Sequence, residues 1–222
     1  FVPLGQPFTG EQLVVEFVGQ NFRGMLHTLR ARWQQEHPGY EGLTDDEIET
    51  YVKLEEDKVI ERLKRDLVPC VGAEEALKRV RENREGIKMA VVSSSALRRL
   101  KASIEKVGFE RFFKDVETGE QLLFSAASSL PKPTSKPDPA IYLYAMEKLG
   151  IKPEECVAVE DSKSGTLSGT RAGIKVIGYV GPYKAEEREH MAKVLREAGA
   201  IIVMEDWAEF EECLAKIESG SV

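Results

Sequence analysis

The sequence predicts an α/β chain: an all-helical unit over residues 1–67, then a Rossmann-like core with a parallel sheet over 68–222. Three observations predict it. From Thr9 to Leu67 the apolar residues recur at helical spacing (Leu13, Val14, Phe17; Phe22, Met25, Leu26, Leu29; Ile48, Tyr51, Leu54, Val59, Leu63) with no strand-like run between them. From Val68 onward, short apolar runs alternate with amphipathic stretches, as in βαβ units whose sheet is covered on both faces. The apolar runs of that region are four to six residues long, the length of buried strands.

In the helical unit, HPGYEG at 37–42 reads as a turn. Thr44-Asp45-Asp46-Glu47 reads as a helix start, with acids where the helix dipole favours them. The core then runs helix 73–84, strand 89–92 and helix 96–107, with extended pieces around Val116 and over 122–124. Helix 139–149, strand 156–159, helix 164–172, strand 175–180, helix 185–198, strand 201–204 and helix 207–217 complete it. Gly165 and Gly169 share one face of their helix, which lets it sit close to its neighbours, and Gly173 suits a left-handed end cap.

The totals narrow the function classes. The 222 residues suffice for one sizeable core with a smaller companion, and 31% charged residues fit a soluble globular protein. A net charge of −7 argues against nucleic acid or an anionic membrane as partner, although a local site or a metal can still hold a small anion. No run reaches membrane-spanning length, and the N-terminus shows no signal-peptide pattern. Cys70, Cys156 and Cys213 are scattered and odd in number, so reduced thiols in the cytoplasm are expected. A monomer or weak oligomer is expected. The three histidines make no zinc-ligand spacing.

Parallel sheets place ligands beyond the carboxyl ends of their strands, and three such ends carry polar groups. KMAVVSSS (88–95) runs out into three serines before a helix; they can face an anion, although plain N-capping is the commoner role at such junctions. In TSKPDPAIY (134–142), Pro137 forces Lys136 into an extended conformation, and Asp138 can cap a helix that starts at Pro139. Lys136 is thus pointed rather than loose, whereas Lys132 has no helix start behind it. VAVEDSKSG (157–165) ends a buried strand in adjacent carboxylates, Glu160 and Asp161. Two hard oxygen ligands suit Mg²⁺, while the alternative is Asp161 as a helix cap with Glu160 in solvent. A hydroxyl, a fixed cation and a carboxylate pair are the parts of a phosphoryl-transfer site.

With these motifs and the RAGIKVIGY that follows them, the sequence resembles the haloacid dehalogenase-like superfamily, on its phosphatase and sugar-phosphate mutase branch. The likeness is strongest over 68–205, and the helical unit resembles that branch's cap. It implies a Mg²⁺-dependent enzyme acting on a small phosphorylated metabolite. Ser93, with Ser94 beside it, would bind phosphate; Lys136 would clamp phosphate and nucleophile; Glu160 and Asp161 would be the magnesium acids, Asp161 the direct one. In GQNFR (19–23), Arg23 would reach the substrate. His27 and Arg30 share its flank and read equally as a solvated basic surface.

One departure stands out. The family's D-x-D-x-T motif supplies the nucleophilic and acid–base aspartates at the end of a central strand, and FVPLGQPFT contains no aspartate. Either a segment carrying that strand precedes Phe1 in the full protein, or the chain is a non-catalytic phosphate-binding remnant. The first is expected, because losing a central strand leaves ladder groups of two neighbours unpaired. It places strands 89–92 and 156–159 two strand spacings apart, roughly 10 Å, and forbids their direct pairing.

Overall fold

The computed structural model describes residues 22–39 and 41–222. FVPLGQPFT, the apolar residues Leu13, Val14 and Phe17, and residues 19–21 of GQNFR lie outside this range. The chain divides into two compact units, Phe1–Arg62 and Leu63–Val222, so the division falls inside a helix rather than after it.

Among its described residues the first unit has two helices, α1 (Phe22–Glu36) and α2 (Asp45–Asp66). Met25, Leu26 and Leu29 pack with Leu43 and Ile48, and Phe22, Trp33 and Tyr51 lie against them. At the start of α2, Glu47 N–H donates to Thr44 Oγ1 (3.2 Å) and Thr44 N–H to Glu47 Oε2 (2.8 Å). This reciprocal capping satisfies two otherwise orphaned donors, as the TDDE signature predicts.

The second unit is the α/β core. Its elements are α3 (Ala73–Asn83), β1 (Val91–Ser93), α4 (Leu97–Val107), β2 (Leu123–Ser125), α5 (Ala140–Leu149) and β3 (Val157–Glu160). They continue with α6 (Lys163–Arg171), β4 (Lys175–Tyr179), α7 (Ala185–Glu197), β5 (Ile202–Met204) and α8 (Phe210–Glu218). All strand pairings are parallel: β1 with β2, β3 with β4, β4 with β5. Alternation along β4 shows how the sheet is buried: Val176 packs with Tyr142, Met146 and Ile174, and Ile177 with Val80, Met204 and Leu214.

Several boundaries differ from expectation. β1 begins at Val91 rather than Met89, because only Val91–Ser93 find partners in β2. Val116 is 79% exposed in a turn and not extended; the pairing there is a single bridge between Lys114 and Gln121. The final helix opens with a 3₁₀ turn over Trp207–Glu209. The segment 121–134 does more than connect, since it supplies β2 and the serines described below. Among the described residues no helix is long and apolar enough to cross a membrane. The three cysteines form no disulfide.

β1 and β3 are not paired with each other. A cavity of about 660 Å³ has Met89, Val91 and Val92 on one wall and Val157, Ala158 and Val159 on another. Among the described residues each of these strands has a sheet partner on one side only.

Candidate functional site

The site is built where β1 and β3 end. Ser93 closes β1, and its Oγ accepts from Ser95 N–H (3.1 Å). Ser94 Oγ accepts from the backbone N–H of Lys136 (3.0 Å), which ties the second motif to the first. The helix behind the serines is capped from elsewhere: Leu97 N–H donates to Ser128 Oγ (3.2 Å), and Ser125 Oγ donates to Ser95 O (2.7 Å). The capping reading of Ser93–Ser95 is therefore replaced by Ser128, 31 residues away in sequence.

The Lys136 loop is held at several points. The Lys136–Pro137 peptide is cis. Asp138 Oδ1 accepts from Ala140 N–H (2.9 Å), and Thr134 Oγ1 donates to Asp138 Oδ2 (2.9 Å); both hold the Asp138 carboxyl below its ordinary value. From α6, Ser168 Oγ donates to Asp138 O (2.7 Å) and Arg171 to Pro137 O (3.0 Å). Held in this way, Lys136 Nζ donates to Val92 O (2.8 Å) and to Glu160 Oε1. The lysine thus joins the end of β1 to the end of β3.

The paired acids do not behave alike. Glu160 is 8% exposed, and its Oε1 accepts from both Lys136 and Tyr142 Oη. A Cβ on Gly165 would lie 1.8 Å from Glu160 Oε2, so only glycine lets α6 start this close to the carboxylate. Asp161 is exposed, and its carboxylate makes no hydrogen bond or ion pair among the described residues; its backbone carbonyl accepts from Tyr183 Oη (2.9 Å). Asp161 is not the cap of α6. Ser162 is, its Oγ accepting from Gly165 N–H (3.1 Å).

Ser93, Ser94, Lys136 and Glu160 are therefore brought together, with Asp161 next to them in the chain. Arg23 belongs to the helical unit, where it pairs with Glu49 (2.7 Å). His27 Nδ1 lies 3.0 Å from Arg30, which also reaches Asp45 (2.7 Å) and Leu43 O (3.0 Å). Arg30 thus ties α1 to the start of α2 rather than lying bare on a solvated flank. Tyr142, Ser128 and Ser168 were not singled out by sequence. For Tyr142 a signal existed: a phenol six residues after Lys136, on the buried face of the following helix. Burial pushes that phenol far above its ordinary pKa, and the Glu160 charge adds to the shift.

The donor set can be tested against magnesium. Asp161 offers one open hard-oxygen ligand, which fits an ion that keeps several waters and takes the rest of its shell from phosphate. Glu160 Oε1 is already committed, and among the described residues no three His, Cys, Asp or Glu side chains form a metal cluster.

Similar proteins are known both from their sequences and from solved structures. The chain is 33% identical over 133 residues to the phosphorylated carbohydrates phosphatase of Thermotoga maritima, covering 60% of this chain and 54% of that one. It is 24% identical over 200 residues to phosphoglycolate phosphatase 1 of Pseudomonas aeruginosa, covering 90% of this chain and 65% of that one. Thus it spans only part, 54% and 65%, of the length of these relatives. A HAD family hydrolase from Deinococcus radiodurans, solved with bound phosphate and sodium, superposes with a TM-score of 0.61 at 26% identity, covering 96% of this chain and 83% of that one. A family model described as haloacid dehalogenase-like hydrolase matches residues 5–179, and the chain belongs to that family.

Proposed function

We propose that this chain forms the phosphate-binding side of a magnesium-dependent phosphatase acting on a small phosphorylated metabolite such as a sugar phosphate. The observation that carries it is Lys136, its side chain 9% exposed and fixed between Val92 O and Glu160 beside the Ser93–Ser94 turn. Positive charge held in place near hydroxyls neutralises a phosphoryl group without reorganising during reaction. Mg²⁺ would be held by Asp161 and would supply charge neutralisation at the phosphate oxygens. Ser93 would orient one phosphate oxygen, and Lys136 would balance charge on the group in transfer. Arg23 enters this proposal as a substrate contact on the family resemblance alone.

The nucleophile in this reading is an aspartate delivered by a strand lying between β1 and β3. The cavity supports it, because its walls are two parallel strand edges that meet Lys136 at their carboxyl ends. Phosphate would pass to that carboxylate and then to water, or to a sugar hydroxyl in the mutase variant of the same chemistry.

The test is hydrolysis of an aryl phosphate by the chain alone and by a form extended at its N-terminus with a strand ending in D-x-D-x-T. Turnover that needs both Mg²⁺ and the extension is expected, and Asp161→Asn in the extended form should abolish it while leaving the fold intact. A second reading, a non-catalytic phosphate-binding module, is favoured by one observation: the carboxylate that meets Lys136, Glu160, is already engaged by the lysine and Tyr142. Phosphate binding without turnover in either form would establish that module instead.

A further inference from the structure

One buried polar side chain beside the site has no part in the function proposed above. Tyr142 is 6% exposed and sits in an apolar cluster with Met146, Ala158, Ala172, Ile174 and Val176. A phenol hydroxyl in such surroundings is costly unless it finds a partner. Here its partner is Glu160 Oε1, the same oxygen that receives Lys136. The ring faces the lysine too, its centroid 4.9 Å from Nζ, within cation–π range. On the other side of the carboxylate, Oε2 lies against Gly165, where any Cβ would collide with it.

The three groups close a triangle. The phenol holds the carboxylate, the carboxylate holds the ammonium, and the ring face holds the ammonium a second time. An ammonium has three donors, and Val92 O and Glu160 take two of them. One N–H is left for an incoming anion.

We infer that Tyr142 is a positioning residue: its hydroxyl locks Glu160 onto Lys136, so that Glu160 serves the lysine's aim rather than a cation, and Asp161 alone is left for the metal. The adjacent acids at the end of β3 thus divide their work between the two charges of the substrate complex.

This inference rests on the reading of Lys136 as the phosphate group's cation, and the test separates the two. Protein labelled with ¹³C at lysine Cε is compared as wild type, Tyr142→Phe and Lys136→Met, the last assigning the Lys136 signal. A lysine pinned over a ring should show two inequivalent Hε protons. Tyr142→Phe keeps the ring and removes only the hydroxyl, so their splitting should collapse. Affinity for inorganic phosphate should fall about tenfold, as expected for loss of a hydrogen bond to a charged group, with Mg²⁺ affinity unchanged. Equivalent Hε protons in wild type, or a splitting kept in Tyr142→Phe, overturns the inference; so does a loss of Mg²⁺ affinity equal to that of Asp161→Asn. If Lys136→Met binds phosphate as wild type does, the phosphate reading fails, while the splitting still decides the role of Tyr142. Should Tyr142→Phe fail to fold, 3-fluorotyrosine at 142 keeps the shape, strengthens the donor and must move the same resonance; an unmoved signal counts against the inference.

Discussion

The helical unit and the core each hold a cation against a glutamate, and the two pairs stand in opposite surroundings. Arg23 and Glu49 meet at 2.7 Å with side chains 49% and 57% exposed. Lys136 and Glu160 meet with side chains 9% and 8% exposed. Water can replace either partner of the first pair, so that pair is worth little. It cannot easily replace a partner of the second, and whichever charge is left behind stays in an apolar interior. Similar contacts thus lie at the surface in one unit and tie two strand ends together in the other.

The largest expected effect tests this difference directly. Lys136→Met leaves Glu160 with Tyr142 as its one donor and should cost about 3–5 kcal/mol of stability, the range for breaking a buried pair from one side. Urea unfolding measures it. Adding Glu160→Gln should recover part of the loss, because the orphaned charge goes. A cost under about 1 kcal/mol would mean that water reaches the pair, and the contrast between the units would collapse.

Gly165→Ala approaches the same pair from the backbone. The new methyl would lie 1.8 Å from Glu160 Oε2 and 2.4 Å from its Cδ, so the carboxylate must move. An exposed glutamate would move freely, but this one is held by Lys136 and Tyr142. Overpacking costs roughly 1–3 kcal/mol, against about 1 kcal/mol gained from helix propensity. A net loss of up to about 2 kcal/mol is expected in thermal unfolding, with weaker phosphate binding beside it. A stabilised variant would show that Glu160 is mobile.

Local signals made most of this legible in the sequence. Alternating apolar runs located the strands to within two residues, and X-Pro chemistry marked Lys136 as a pointed group. TDDE gave a capping box where it was expected. What stayed hidden was long-range. The cap on α4 comes from Ser128, and no local rule tells a serine in a loop that it will meet a helix start 31 residues earlier. Glu160 and Asp161 look identical as neighbours, yet pleating turns one into the interior and leaves the other in solvent. Strand ends were misjudged because a strand is defined by its partner, and β2 reaches only Val91–Ser93.

Asp115 provides an intermediate case within the core. Its carboxylate is held down to about pKa 2 by the backbone N–H of Thr118, with Lys88 at 3.1 Å and the N–H of Glu117 helping. A depressed carboxyl stabilises the fold above its unfolded pKa of about 3.9, and that contribution fades as pH falls toward the folded value. Asp115→Asn should therefore be less stable than wild type at pH 7, with the gap narrowing between pH 4 and pH 2 in urea titrations. A gap independent of pH would assign the loss to shape rather than charge.

The smallest effect is expected where the comparison began. Arg23→Ala removes one exposed partner and leaves Glu49 in water, so the cost should be about 0.2–1 kcal/mol at low salt. Raising the ionic strength to about 1 M shrinks the screening length to about 3 Å and should erase most of even that difference. The same variant in the extended form separates stability from recognition, since a substrate contact would appear as a raised KM with an unchanged unfolding midpoint. A loss above about 2 kcal/mol that persists in salt would place Arg23–Glu49 in the same class as Lys136–Glu160, and exposure would no longer tell the two pairs apart.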